Sequence, residues 1–172
     1  MRIMRGELEV AVGTYDELSR ADQYLLDQAK EVRDKAHAPY SHYRVGSAVR
    51  EKSGITATGC NVEVYTYTQT GHAETNAIAN LVAQLGPEIE LVAVAVVGGS
   101  ESESMAWPPV PESGAVTLEE MAFCCGNCLA TIGEFVSPAG VKLIDVFRGH
   151  ICQVMFANAL PVSFQKRHLM GE

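Results

Sequence analysis

Apolar side chains recur at helical spacing near the start of the chain. They occupy positions 18, 21, 25, 29, 32 and 36, so they would line one side of a helix. Thr14 and Glu17 precede them with the spacing of a capping box, in which each side chain binds the other residue's backbone amide. The pattern predicts a first helix over residues 15–36 that ends before Pro39, because the residue before a proline disfavours the helical conformation.

Two β-type stretches follow this helix. Residues 43–48 alternate between two faces, residues 52–54 read K-S-G, and residues 55–58 resume the β pattern, which together predict a hairpin. An apolar stripe that ends at residues 86–87, a Gly-Pro pair, then predicts a second helix from about Ala73.

The second half of the chain predicts further strands and one more helix. Residues 91–97 form a continuous apolar run, typical of a central strand covered on both faces. Residues 125–135 fit a third helix, and residues 141–147 fit another apolar strand. Residues 151–160 fit either a helix or a strand. This order of elements indicates an α/β fold layered around one mixed sheet.

The length and composition indicate one domain. The chain has 172 residues, of which 47% are hydrophobic and 20% charged, as in ordinary globular proteins. We expect a single domain over residues 1–172, with an N-terminal extension of about residues 1–13 and a loop insertion at about residues 99–115. That loop is rich in Ser, Glu and Pro, and its Trp107 would cover a site, form a subunit contact or lie on the surface.

The charge balance narrows the class of partner. Thirteen basic residues against 21 acidic ones give a net charge of −8, which disfavours nucleic acid and anionic membranes as partners. The first residues lack the pattern of a secretory signal, and the longest apolar run is too short to span a bilayer. We therefore expect a cytoplasmic protein that acts on a small molecule.

Two short clusters carry candidate chemistry, and each opens a predicted helix. His72 and Glu74 form one cluster, and Cys125 and Cys128 form the other. Helix N-termini lower the pKa of thiols, and zinc in catalytic sites takes three protein ligands of this type while water fills the fourth position. The spacing predicts Zn²⁺ held by His72, Cys125 and Cys128, with Glu74 as a proton carrier, as in the H-x-E…C-x-x-C pattern of zinc deaminases.

Other readings of these residues stay open. A C-x-x-C pair is often a redox pair or half of a structural zinc site, and Cys124 could replace Cys125 as a ligand. A structural site would need a fourth protein ligand and would not depend on Glu74.

Three further segments resemble the cytidine deaminase family. Residues 39–48 read P-Y-S-H-Y-R-V-G-S-A, residues 58–63 read T-G-C-N-V-E, and residues 160–164 read L-P-V-S-F. The resemblance implies a three-layer α/β/α sandwich around a mixed five-stranded sheet. It also implies a homodimer or homotetramer.

The resemblance implies a set of substrate-binding residues as well. Asn61 and Glu63 would hold the ribose hydroxyls, Tyr43 would lie against the base, and Ala73 would line the substrate site. The chain departs from the family at residues 64–67, V-Y-T-Y, where Tyr65 replaces a small residue and would reshape the base pocket.

These residues imply zinc-dependent hydrolytic deamination of cytidine, deoxycytidine or a closely related aminated pyrimidine nucleoside, with release of ammonia. A nucleotide substrate is disfavoured, because few cations lie near the motifs that would bind phosphate. A deaminase of a modified nucleoside or nucleoside antibiotic and a non-catalytic zinc scaffold are the alternatives.

Overall fold

The computed structural model describes residues 9–66, 68–102, 105–114, 116–117, 121, 123–137 and 139–159. The strands are β1 (Ala11–Gly13), β2 (Tyr43–Glu51), β3 (Thr56–Cys60), β4 (Leu91–Ser100), β5 (Lys142–Phe147) and β6 (His150–Met155). The helices are α1 (Arg20–Arg33), α2 (Ala73–Leu85), α3 (Gly126–Glu134) and α4 (Phe156–Ala159). The predicted hairpin, central strand, second helix and third helix are confirmed. No helix in the described part is long and apolar enough to cross a membrane.

The described strands form one mixed sheet in the order β1-β6-β5-β4-β2-β3. Strands β4 and β5 run parallel, and every other neighbouring pair is antiparallel. The α/β class with a mixed sheet is therefore confirmed, but the sheet has six strands rather than the expected five. The sixth is β1, which pairs Val12 with Cys152 of β6. A strand of three residues is too short to show an alternating pattern, so the sequence alone places residues 11–13 in the N-terminal extension.

The first helix is shorter than its pattern predicts. Glu17 accepts a hydrogen bond from the Thr14 N–H at 2.7 Å, as in the predicted capping box. That box closes only a 3₁₀ turn, because Leu18 is extended at ψ 150°. Ser19 then caps α1 by accepting a hydrogen bond from the Asp22 N–H at 3.2 Å. The α-helix therefore begins after a second capping residue, which the helical spacing of the apolar residues did not reveal.

The two faces of the sheet carry separate apolar clusters. Leu25 and Leu26 of α1 pack against Ala48 on one face. On the other face, Leu81 of α2 and Ile132 of α3 pack together with other buried residues. Helix α1 therefore covers one face and helices α2 and α3 cover the other, which gives the three expected layers.

The segment of residues 99–115 packs against the body of the protein where it is described. Trp107 donates its indole N–H to Asp27 at 2.8 Å and meets the ring of Tyr15 edge-on at 6.1 Å. Further along, the Glu112 N–H donates to the Arg148 carbonyl at 2.9 Å. Trp107 thus lies against α1 in an intramolecular contact. The ambiguous residues 151–159 form most of β6 and then α4, and the L-P-V-S-F segment at 160–164 lies outside the described residues.

Candidate active site

Helices α2 and α3 begin near each other on the same face of the sheet. His72 is the N-cap residue of α2, and Cys125 is the N-cap residue of α3. Cys128 follows in the first turn of α3 and is fully buried. Both N-termini direct their partial positive charge toward this point, which favours bound thiolates.

The donor atoms of His72, Cys125 and Cys128 converge. His72 Nδ1 lies 3.5 Å from Cys125 Sγ and 3.3 Å from Cys128 Sγ, and the three ligand atoms all lie within 4.8 Å of one another. One imidazole nitrogen and two sulfurs are donors that zinc prefers, and a set of three is typical of a catalytic site. No other such group is found in the part of the chain that the structure describes. The three residues therefore fit a zinc ion.

Cys124, the alternative ligand, lies outside this group. Burial raises the pKa of the Cys124 thiol, and the neighbouring Glu74 carboxylate raises it further. The same two causes raise the pKa of Cys128. A divalent cation is what would hold the buried Cys128 sulfur as a thiolate.

Glu74 lies in the first turn of α2, two residues after the His72 ligand. Its side chain is 6% exposed and lines the same cavity as His72 and Cys125. It is not part of the ligand group. A carboxylate beside the metal ligands, but not among them, is placed to exchange protons with a bound substrate.

The site opens into a cavity of about 500 Å³. Apolar side chains form much of its wall: Val45, Val96, Phe123, Val146 and Phe147. Three carboxyl groups also line it, those of Glu63, Glu74 and Asp145, whereas none of the described lining residues is Lys or Arg. The cavity therefore suits an uncharged ligand with hydrogen-bonding groups rather than a phosphate.

Asn61 lines the cavity and also fixes the start of β2. Its Oδ1 accepts from the Val45 N–H at 2.8 Å, and its Nδ2 donates to the Tyr43 carbonyl at 2.9 Å. Each amide atom keeps one further hydrogen-bonding position. These two hydrogen bonds fix the orientation of the Asn61 side chain at the cavity wall.

Glu63 is held in the same way. Its carboxylate accepts from the Ser41 hydroxyl and from the backbone N–H groups of Tyr40 and Ser41, the last two at 3.0 and 3.2 Å. The Ser41 hydroxyl is the main cause that lowers the pKa of Glu63. Glu63 is therefore an ionised acceptor, oriented toward the cavity by the P-Y-S segment.

The remaining predicted substrate residues divide into two groups. Tyr43 and Ala73 line the cavity, with the Tyr43 ring packed closely over Gly98. Tyr65 does not line it, and its side chain is 80% exposed. The expectation that Tyr65 reshapes the base pocket is not met within this chain, because Tyr65 and Thr66 are exposed to solvent. Its neighbour Tyr67 lies outside the described residues.

Sequence patterns missed Ser41, Thr70 and Asp145, three polar residues of the cavity wall. Ser41 belongs to the P-Y-S motif, but its part in orienting Glu63 depends on a contact 22 residues away in sequence. Asp145 is an acidic residue within an otherwise apolar strand, and that interruption was the available signal.

Comparisons with known proteins find similar sequences and similar folds. The family model described as "Cytidine and deoxycytidylate deaminase zinc-binding region" matches residues 19–142. A curated cytidine deaminase from Sporosarcina psychrophila is 29% identical over 145 residues, which are 84% of this chain and 92% of that protein. The crystal structure of cytidine deaminase from Burkholderia pseudomallei is 28% identical with a TM-score of 0.61, covering 86% of this chain and 100% of that one. The cytidine deaminase structure from Mycobacterium tuberculosis is 26% identical with a TM-score of 0.60, covering 82% and 94%.

Proposed function

Because this zinc-dependent hydrolytic deaminase belongs to the cytidine and deoxycytidylate deaminase family, we propose that it converts cytidine, deoxycytidine or a closely related aminated pyrimidine nucleoside to the uracil-type product and ammonia. One observation carries the proposal. The donor atoms of His72, Cys125 and Cys128 lie within 4.8 Å of one another, and the buried Glu74 opens into the same cavity.

His72, Cys125 and Cys128 are the residues that would hold zinc. When bound there, the ion supplies Lewis acidity that makes water a nucleophile at neutral pH. Glu74 takes a proton from the attacking water and delivers it to the ring nitrogen next to the carbon that bears the amine, while the water oxygen bonds to that carbon. Glu74 then carries the remaining proton of that oxygen to the amine, so that the carbon–nitrogen bond breaks, ammonia leaves and a ring carbonyl remains. Burial of Glu74 keeps bulk water away from this transfer.

Asn61 and Glu63 are proposed to bind the sugar. The Glu63 carboxylate has acceptor positions beyond those used by Tyr40 and Ser41, and Asn61 keeps one donor and one acceptor position. An ionised acceptor beside an amide can share the two hydroxyls of a ribose. Tyr43 and Ala73 would line the base.

The charges of the cavity support a nucleoside over a nucleotide. Its described wall carries three carboxyl groups and no Lys or Arg, so a substrate phosphate would enter without a cation to neutralise it. We expect cytidine to be deaminated with a much higher kcat/KM than its monophosphate. Assembly into a homodimer or homotetramer stays a prediction, which size-exclusion chromatography with light scattering would check.

A substrate panel tests the proposal. Ammonia release from free bases, nucleosides and nucleotides is measured with the wild type and with Glu74→Gln, which keeps the side-chain volume but cannot carry the proton. We expect cytidine-type nucleosides to turn over, and Glu74→Gln to keep its zinc while losing about 10²–10⁴-fold in kcat. Zinc-loaded protein that releases ammonia from no cytosine or adenine compound would contradict the proposal and favour the zinc scaffold. Turnover confined to modified bases would favour the antibiotic or modified-nucleoside alternative.

A further inference from the structure

The insertion at residues 99–115 forms part of the wall of a second cavity, which has a volume of about 670 Å³. The described part of the insertion supplies Met105, Ala106, Pro109, Val110 and Glu112 to this wall. The rest of the wall comes from β2, from the ends of β4 and β5, and from the turn that joins β5 to β6. The insertion therefore adds an enclosed space to the protein.

Two contacts hold the insertion in this position. Near its middle, Trp107 donates its indole N–H to Asp27 of α1 at 2.8 Å. Further along, the backbone of Val110 lies directly against Gly149 in the turn between β5 and β6, where an added Cβ atom would be 1.9 Å from the Val110 carbonyl oxygen. Only glycine allows so close an approach, so the second cavity has a defined wall.

The second cavity adjoins the substrate cavity. Tyr43, Gly98, Val146 and Phe147 line both. The Tyr43 side chain lies on the backbone of Gly98, where an added Cβ atom would be 2.9 Å from the tyrosine oxygen. The Tyr43 ring, which is proposed to lie against the base, is therefore at the boundary between the two cavities.

The strand order shows which end of a substrate would reach the second cavity. Asn61 and Glu63, the proposed sugar ligands, directly follow β3 at one edge of the sheet. Val146 and Phe147 end β5, and both β2 and β4 lie between β5 and β3. A nucleoside whose sugar binds at the β3 end would therefore approach the second cavity with its base.

The wall of the second cavity favours an uncharged, apolar group. Met105, Pro109 and Phe147 contribute apolar and aromatic surface. Among the described lining residues, the two charged side chains, Glu112 and Arg148, have opposite signs, and the Arg148 guanidinium lies over the Phe147 ring at 5.5 Å from its centroid. A space with apolar walls and balanced charge binds an apolar group better than an ion.

We propose that the second cavity binds an uncharged, apolar substituent on the pyrimidine base, so that the substrates include cytidine nucleosides modified on the base. This inference rests on the proposed function, because it needs the sugar at Asn61 and Glu63 and the aminated carbon at the metal ligands. C5 is the free ring carbon beside the aminated carbon and away from the sugar. A substituent at C5 is therefore the one that can project past Tyr43.

Two blocking variants, a control variant and a matched pair of substrates test the proposal. Ala106→Trp and Val110→Trp each add bulk to the insertion, and neither residue lines the substrate cavity. Ala139→Trp is the control, because Ala139 is exposed like Ala106 but lines neither cavity. Cytidine is compared with 5-propynylcytidine, which carries an apolar group at C5. Ammonia release gives kcat and KM, and zinc content and Tm are measured for each protein.

We expect the wild type to deaminate 5-propynylcytidine with a kcat/KM at or above that for cytidine, because the second cavity buries the propynyl group. Ala106→Trp and Val110→Trp should lower kcat/KM for 5-propynylcytidine by about tenfold or more, mainly through KM. Both should keep their zinc and keep kcat/KM for cytidine within about twofold of wild type. The control Ala139→Trp should change neither substrate.

The outcomes separate the two proposals. If the wild type deaminates cytidine but has a lower kcat/KM for 5-propynylcytidine, the second cavity does not bind a base substituent. The same conclusion follows if both blocking variants leave the ratio of the two kcat/KM values at its wild-type level. In either case this inference is wrong while the proposed function stands. A wild type that releases no ammonia from either substrate overturns both.

Discussion

Gly59 lets α2 lie directly against β3, and replacing it with alanine should displace the helix that carries His72. A Cβ atom at this position would lie 2.3 Å from the Ala77 nitrogen and 2.6 Å from the Ala73 carbonyl oxygen. Both are backbone atoms of the helix, so no side-chain rotation relieves the clash. The close approach is held by Asn80, whose side-chain amide donates to the Thr58 carbonyl at 2.8 Å.

The size of the effect follows from these distances. An ordinary contact begins at 3.4 Å, so α2 must move away from β3 by about 1 Å. Inserting a methyl group into such a contact costs about 3 kcal/mol, the upper end for overpacking, because the obstacles are backbone atoms. For a chain of 172 residues, the unfolding entropy of about 2 cal/mol/K per residue converts that cost into a Tm lower by about 8 °C. The same movement would separate His72 from Cys125 and Cys128 and weaken zinc binding.

Thermal unfolding followed by circular dichroism, with zinc quantified in the same samples, measures both effects. Gly133→Ala is the matched control, since its new Cβ would meet only the end of the Phe156 ring, at 3.2 Å, and alanine favours the helix α3 by about 1 kcal/mol. We expect the control to stay within about 3 °C of wild type. If Gly59→Ala melts at the wild-type temperature with full zinc content, the contact between α2 and β3 does not position the site.

Two further predictions concern stability and the ligand set. Asp22 accepts from Arg50 at 2.7 Å and from Lys142 at 2.9 Å; burial alone would raise its pKa, but these hydrogen bonds lower it below the ordinary value of 3.8. Asp22→Asn should therefore lower the free energy of unfolding, measured with urea at pH 7, by about 2 kcal/mol, a figure reduced because Lys142 is partly exposed. This difference from wild type is present above pH 3.8 and should shrink as the pH falls below it. A difference that does not change with pH would refute the reasoning. Cys124→Ser should keep one zinc per chain whereas Cys128→Ser loses it, as measured by metal analysis; zinc loss in both variants would mean that Cys124 is a ligand.

The metal residues could be predicted from sequence because their signals are local. His72 and Cys125 each directly precede a helix, and the helical pattern of the following residues shows where each helix begins. A short spacing within each cluster then restricts which side chains can meet. The P-Y-S and N-V-E segments could likewise be recognised in the sequence. The hydrogen bond between Ser41 and Glu63 could not be predicted from them.

What sequence could not predict depends on contacts between distant segments. Strand β1 exists only because β6 is there to pair with it. Tyr65 was expected near the base from its place in a motif, but the direction of a turn is set by its packing, and the side chain is 80% exposed. Asp145 was read as part of an apolar strand, and only the register of β5 against β4 places it in the cavity.

The ligand set of the metal is the central claim, and X-ray absorption spectroscopy at the zinc edge of the purified, reduced protein tests it most directly. We predict one zinc per chain with two sulfur neighbours and one imidazole, the donors of Cys125, Cys128 and His72, together with one further light atom that is not sulfur. A spectrum with three or four sulfur neighbours, or protein that binds no zinc, would contradict the account.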